Sequence, residues 1–194
     1  MRLKLALAAL LALAPTATLA HTGVSVEHDL LHGFLHPLGG LDHVLAMLAV
    51  GVFAFVLGGR ALWLVPLAFV GMMTAGFVVG LAGIEVPFVE LGIALSSIVI
   101  GGVAALGRPM PVVAASALVG LFAVFHGVAH GAEMPVGASG LDYALGFVAA
   151  TALLHLAGIA GAMGVAKLAG RFGKPAAQLA GGLFAFGGLG VLAG

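Results

Sequence analysis

No cysteine occurs anywhere in the 194 residues. Disulfides, thiolate metal sites and iron–sulfur clusters are thereby excluded. Charge is almost as scarce. Asp, Glu, Lys and Arg make up 7% of the chain, where a soluble domain carries about 25%. With 62% hydrophobic residues and a mean hydropathy of +1.26, the chain needs lipid as its solvent. Formal net charge is zero, so no basic patch exists for nucleic acid. No nucleotide-binding glycine motif is present either,. Glycine, by contrast, is abundant, at 32 residues. In apolar helices that abundance reads as close helix–helix packing through small residues.

The N-terminal 20 residues read as a cleavable signal peptide. Arg2 and Lys4 form a basic start, Leu5 to Ala14 is a short apolar run, Pro15 breaks it, and Thr18-Leu19-Ala20 offers small residues for cleavage,. The run is too short to span a bilayer, which takes about 20 residues. An uncleaved anchor is the alternative. Residues 21–36 form a His-bearing polar segment. Residues 37–194 form an all-α membrane domain with six expected spans, roughly 37–57, 61–83, 88–106, 110–131, 141–166 and 175–193. Pro37, Pro87, Pro111 and Pro175 sit near span starts, where proline is tolerated,.

Charge then orients the bundle. A cleaved signal leaves the mature N-terminus outside the cytoplasm, so the first span runs inward. Arg60, Arg108, Lys167, Arg171 and Lys174 all fall on the inner connections, in agreement with the positive-inside rule. Both mature termini are expected in the periplasm. The acidic residues Glu27, Asp29, Asp42, Glu85, Glu90, Glu133 and Asp142 fall at the outer face, with seven of the eight histidines. A mouth of that composition concentrates cations.

Ionisable groups at a membrane boundary are costly and rare without a function. Two segments carry them here. The first is His36-Pro37-Leu38-Gly39-Gly40-Leu41-Asp42-His43, and the second runs from Phe125 to Glu133 through His126 and His130. His126 and His130 are four apart with Glu133 three further on, so all three share one helical face. Imidazole and carboxylate together suit Ni, Co, Zn or Cu. The plainer alternative is a histidine pair bonded to backbone or water. Pro37 disfavours helix at His36, which places His36 just before the first span. Asp42 either orients an imidazole, ligates directly, or is a solvated cap. His28 and His32 are either a collecting stripe or simply a wet surface. Glu90 lies about one turn into the third span, with Ser96 and Ser97 further down. A membrane carboxylate reads as functional, whereas the serines also suit helix packing.

His155 stands apart. It lies 14 residues after Leu141, about 21 Å down its helix and past the midplane of a core about 30 Å thick. It is either an inner relay for metal or proton or a buried hydrogen-bonding group. Met47, Met72, Met73 and Met163 read as packing residues. Gly40-Leu41-Asp42-His43 has a faint echo in Gly140-Leu141-Asp142-Tyr143.

The His36–His43 segment, the run from Val89 to Ser96 and the run from Phe125 to Glu133 together resemble the HupE/UreJ family. The resemblance spans essentially the whole chain. It implies an inner-membrane nickel or cobalt permease serving maturation of nickel–iron hydrogenase or urease. It assigns the metal-handling role to His36, Asp42, His43, Glu90, His126, His130 and Glu133. The ion is then cargo, and no permanently bound cofactor is implied. The expected partners are a divalent metal ion and the lipid bilayer, with self-association into a homo-oligomer left open.

Two other classes compete. Gly137-Ala138-Ser139-Gly140 is similar to the serine motif of rhomboid proteases, and His126-x-x-x-His130 has the ligand spacing of metallohydrolases. However, Gly127 follows His126 where a metallohydrolase carries its glutamate base,. The remaining class is a metal sensor or storage protein that transports nothing.

Overall fold

The computed structural model describes residues 26–193. The expected signal peptide and its cleavage point lie outside the described residues. Helices account for nearly all of them, with no strand among them. In chain order they are α1 (Val26–Gly39), α2 (Leu41–Leu57), α3 (Ala61–Leu81), α4 (Val89–Leu106), α5 (Val112–Ala132), α6 (Gly140–Ala169), a 3-10 turn (Gly170–Phe172) and α7 (Gly173–Ala193). Four stretches are long and apolar enough to cross a membrane: Ala61–Leu81, Val89–Leu106, Val112–Ala132 and Gly140–Ala193. A fifth is added if α1 and α2, bent by 83° at Gly40, count as one broken span.

The bend corrects one expectation. His36 does not precede the helix at Pro37. Both residues lie inside α1, and the break falls at Gly40, whose backbone is extended at φ −102° and ψ 122°. Proline lacks a donor and crowds the carbonyl one turn back, but α1 is held by its neighbour. A Cβ at Gly33 would strike the Tyr143 carbonyl of α6, and one at Gly146 would strike Leu30 and Phe34 of α1. That seat keeps the helix continuous through Pro37. At its outer end, the Asp29 carboxylate accepts the Ser139 N–H at 2.8 Å.

Close backbone contact also sets the direction of the other helices. Gly76 faces Val124 and Gly80 faces Val128, so α3 and α5 run parallel. Gly107 lies by Gln178, Gly181 by Ala104 and Gly188 by Ser97, so α7 runs antiparallel to α4. The apolar stretch Gly140–Ala193 therefore turns back on itself at Gly170, where φ is 54°. A left-handed residue without a side chain closes such a turn at little cost. Large apolar side chains such as Leu67, Leu121, Leu153, Leu183 and Phe186 remain exposed, as lipid-facing positions do. The interior is small-residue rich, with Ala46, Ala49, Ala54, Ala104 and Ala123 among the fully buried positions.

Candidate metal site

Four imidazoles gather at one end of the bundle. α1 brings His36, the first turn of α2 brings His43, and the last turns of α5 bring His126 and His130. Ring centroids lie 4.7 Å apart for His43–His126, 5.2 Å for His43–His130, 4.9 Å for His36–His130 and 6.5 Å for His36–His43. An ion held at about 2.1 Å by ring nitrogens leaves its ligand rings about 4.5–6 Å apart, centre to centre. The spacing thus suits a shared ion, while the rings now meet edge to face. Among the described residues, no three His, Asp or Glu side chains already form a closed ligand shell.

The nitrogens are short of partners. His43 Nε2, His126 Nδ1 and both nitrogens of His130 are buried without a hydrogen bond. Leaving a buried polar group unpaired costs about 1–3 kcal/mol, so several in one cluster call for an ion or ordered water. His126 is the clearest case. Ser96 Oγ donates to the Ile93 carbonyl at 2.5 Å and lies 3.0 Å from His126 Nε2. With its one proton committed, the serine accepts from Nε2–H. His126 Nδ1 is then left with a bare lone pair.

Carboxylates frame the cluster. Asp42 Oδ1 accepts from the His43 backbone N–H at 2.7 Å and lies 2.9 Å from His43 Nδ1. That contact engages Nδ1 and leaves the buried Nε2 free, as an outer-shell carboxylate does at metal-binding histidines. Glu133 Oε2 lies 2.9 Å from His36 Nε2. Glu133 also lines a cavity of about 550 Å³ with Glu85 and Glu90. Glu90 is exposed there, and no histidine lines that cavity, so Glu90 is not gathered with the imidazoles as the sequence suggested. Among these residues Glu133 touches both the cleft and the cluster, so it joins the carboxylate mouth to the nitrogen-rich interior.

The model for the HupE / UreJ protein family matches residues 8–191. The chain belongs to the HupE/UreJ family. It is 43% identical over 181 residues to Protein HupE of Rhizobium leguminosarum bv. viciae, covering 93% of this chain and 92% of that one. No solved structure matches.

Two neighbours of the site in this HupE/UreJ chain, Tyr143 and Phe147, were given no role from the sequence, and Ser96 was named there without its partner. Tyr143 is fully buried, its ring 5.9 Å from His32 and 6.0 Å from His36, and its hydroxyl has no partner. Its one signal was the echo that pairs Tyr143 with His43. Phe147 stacks on His130 at 4.8 Å and 8°. Ser96 has the role at His126 described above. His28 and His32 are exposed. His155 is 1% exposed with both nitrogens unpartnered.

The serine motif takes a plain structural part. Ser139 caps α6, its hydroxyl accepting the Asp142 N–H at 3.4 Å. His155 lies on the same helix, 16 residues on, about 24 Å along the axis. Ser139 and His155 therefore form no dyad.

Proposed function

We propose that this chain is a secondary permease that imports Ni²⁺ or Co²⁺ across the bacterial inner membrane, supplying hydrogenase or urease maturation. The observation that carries the reading is the cluster of His36, His43, His126 and His130, three of them with buried, unpartnered nitrogens, which Glu133 links to a carboxylate-lined cavity. Imidazole favours first-row transition ions, whereas Mg²⁺ and Ca²⁺ take oxygen shells. Asp42, Glu90 and Glu133 draw the hydrated ion in and balance its charge. The imidazoles then replace its water.

In this reading the chain crosses six times, through the bent α1–α2 pair and then α3 to α7. The parallel α3–α5 pair and the antiparallel α4–α7 pair support it. So do the positive charges, which sit on the α2–α3, α4–α5 and α6–α7 connections. The membrane potential supplies the driving force, about 2.3 kcal/mol per charge per 100 mV. No nucleotide hydrolysis is required.

The test is uptake by the purified full chain in sealed proteoliposomes with an inside-negative potential, over a panel of divalent ions. Saturable entry of Ni²⁺ or Co²⁺ is expected, without entry of Mg²⁺ or Ca²⁺. His43→Ala, His126→Ala and His130→Ala should each lose most of the uptake while remaining folded in the bilayer. Binding without entry would leave a sensor or store. Normal uptake in all three variants would make the cluster structural.

A further inference from the structure

Beneath the imidazole cluster, the bundle interior holds a second polar station. His155 on α6 is 1% exposed, and neither of its ring nitrogens has a partner. The Phe69 ring from α3 lies against both histidines that bracket it. Its centroid is 5.5 Å from His126 and 5.1 Å from His155, and it meets His155 edge to face at 84°. One turn outward on the same two helices, the Thr151 hydroxyl lies 3.7 Å from the Met73 sulfur. Phe69, Met73 and Thr151 are all fully buried.

Helix direction orders these groups by depth. α5 passes His126 before His130, so His126 is the deeper of the two, about 6 Å below on the axis. α6 runs the other way. From Phe147, which stacks on His130, it descends through Thr151 to His155, about 12 Å along the axis. Phe69 therefore separates the deepest imidazole of the outer cluster from the next nitrogen donor inward. Between them, Thr151 and Met73 offer a hydroxyl and a thioether.

Resting on the import reading above, we propose that His155 is a second, inner binding station for the same borderline-soft divalent ion and that the Phe69 ring is the gate before it. An aromatic ring suits this place. It closes the interior to water by area alone, and a rotation about its side-chain bonds moves it aside without shifting a helix. Its face also attracts a cation in passing. Beyond the ring, the ion exchanges one neutral imidazole for another. The Met73 sulfur and Thr151 oxygen lie within the step and suit a transition ion better than Ca²⁺ or Mg²⁺.

The experiment measures equilibrium Ni²⁺ binding and Ni²⁺ flux on the same full-length protein in lipid, for wild type, His155→Gln, Phe69→Leu and Phe69→Trp. His155→Gln should bind one ion fewer per chain than wild type, keep the outer ion and lose flux. Phe69→Leu keeps the packing nearly filled without a ring and should speed flux with stoichiometry unchanged. Phe69→Trp should bind the outer ion and pass none. Wild-type stoichiometry in His155→Gln, or wild-type flux in Phe69→Leu, overturns the inference. A Phe69→Trp chain that fails to fold leaves the other two variants to decide. Wild-type protein that passes no Ni²⁺ overturns the import reading and this inference together. Wild-type flux with an unaltered His155→Gln overturns this inference alone.

Discussion

At the residue scale, a serine sets the chemistry of a histidine. Ser96 commits its proton to the Ile93 carbonyl and accepts from His126, so the imidazole keeps its buried Nδ1 unprotonated and without a partner. Removing such an outer-shell partner typically costs about 10- to 100-fold in metal affinity. Ser96→Ala should weaken Ni²⁺ binding by that order in an equilibrium isotherm, and Ser96→Thr should recover most of it. An unchanged isotherm for Ser96→Ala would leave the serine a packing residue. Its role was hard to read beforehand, because a serine in an apolar helix serves packing equally well. The four clustered histidines stood out beforehand because membranes tolerate few such groups, whereas Glu90, equally marked, lines a neighbouring cavity rather than the cluster. Phe69 and Phe147 were not legible, since an aromatic residue in an apolar run carries no mark of what it will touch.

At the scale of elements, glycine placement decides where helices meet. A Cβ at Gly127 would strike the Met73 carbonyl and the Phe77 nitrogen, whereas one at Gly164 meets nothing within 4 Å. Gly127→Ala must push α3 from α5, an overpacking that costs about 1–3 kcal/mol. It should lower the thermal unfolding midpoint in detergent. Gly164→Ala should hold or raise it, as alanine restricts the unfolded chain more than glycine does. Equal midpoints for the two variants would remove the α3–α5 seam as a source of stability. Helix existence and approximate bounds were legible from apolar runs and glycine–proline punctuation. The break at Gly40 was not, because the seat of α1 on α6 outweighs the local preference of Pro37, and that seat joins residues more than a hundred positions apart.

For the molecule as a whole, charge is sorted by end. Arg60, Arg108, Lys167, Arg171 and Lys174 are exposed at the turns remote from the imidazoles, while Glu133 contacts His36 and lines one cavity with Glu85 and Glu90. On the proposed topology the basic end is cytoplasmic. The natural absence of cysteine makes this easy to check. A cysteine placed at position 108 should resist an impermeant thiol reagent added outside intact cells, and one at position 136, where Val136 is fully exposed, should react. Labelling of position 108 from outside would invert the molecule and move the carboxylate cleft to the cytoplasm.

The docking of α1 has a consequence for biosynthesis. His36 reaches the cluster because Gly33 rests on Tyr143 and Gly146 receives Leu30 and Phe34. Tyr143 and Gly146 belong to α6, which leaves the ribosome long after α1. A nascent chain that has reached only α5 already carries His43, His126 and His130, but it lacks the α6 surface on which most of α1 rests. In such a chain His36 is without the packing that seats its helix beside His130 and Glu133. The order of synthesis therefore delays completion of the mouth until the helix bearing His155 has joined the bundle.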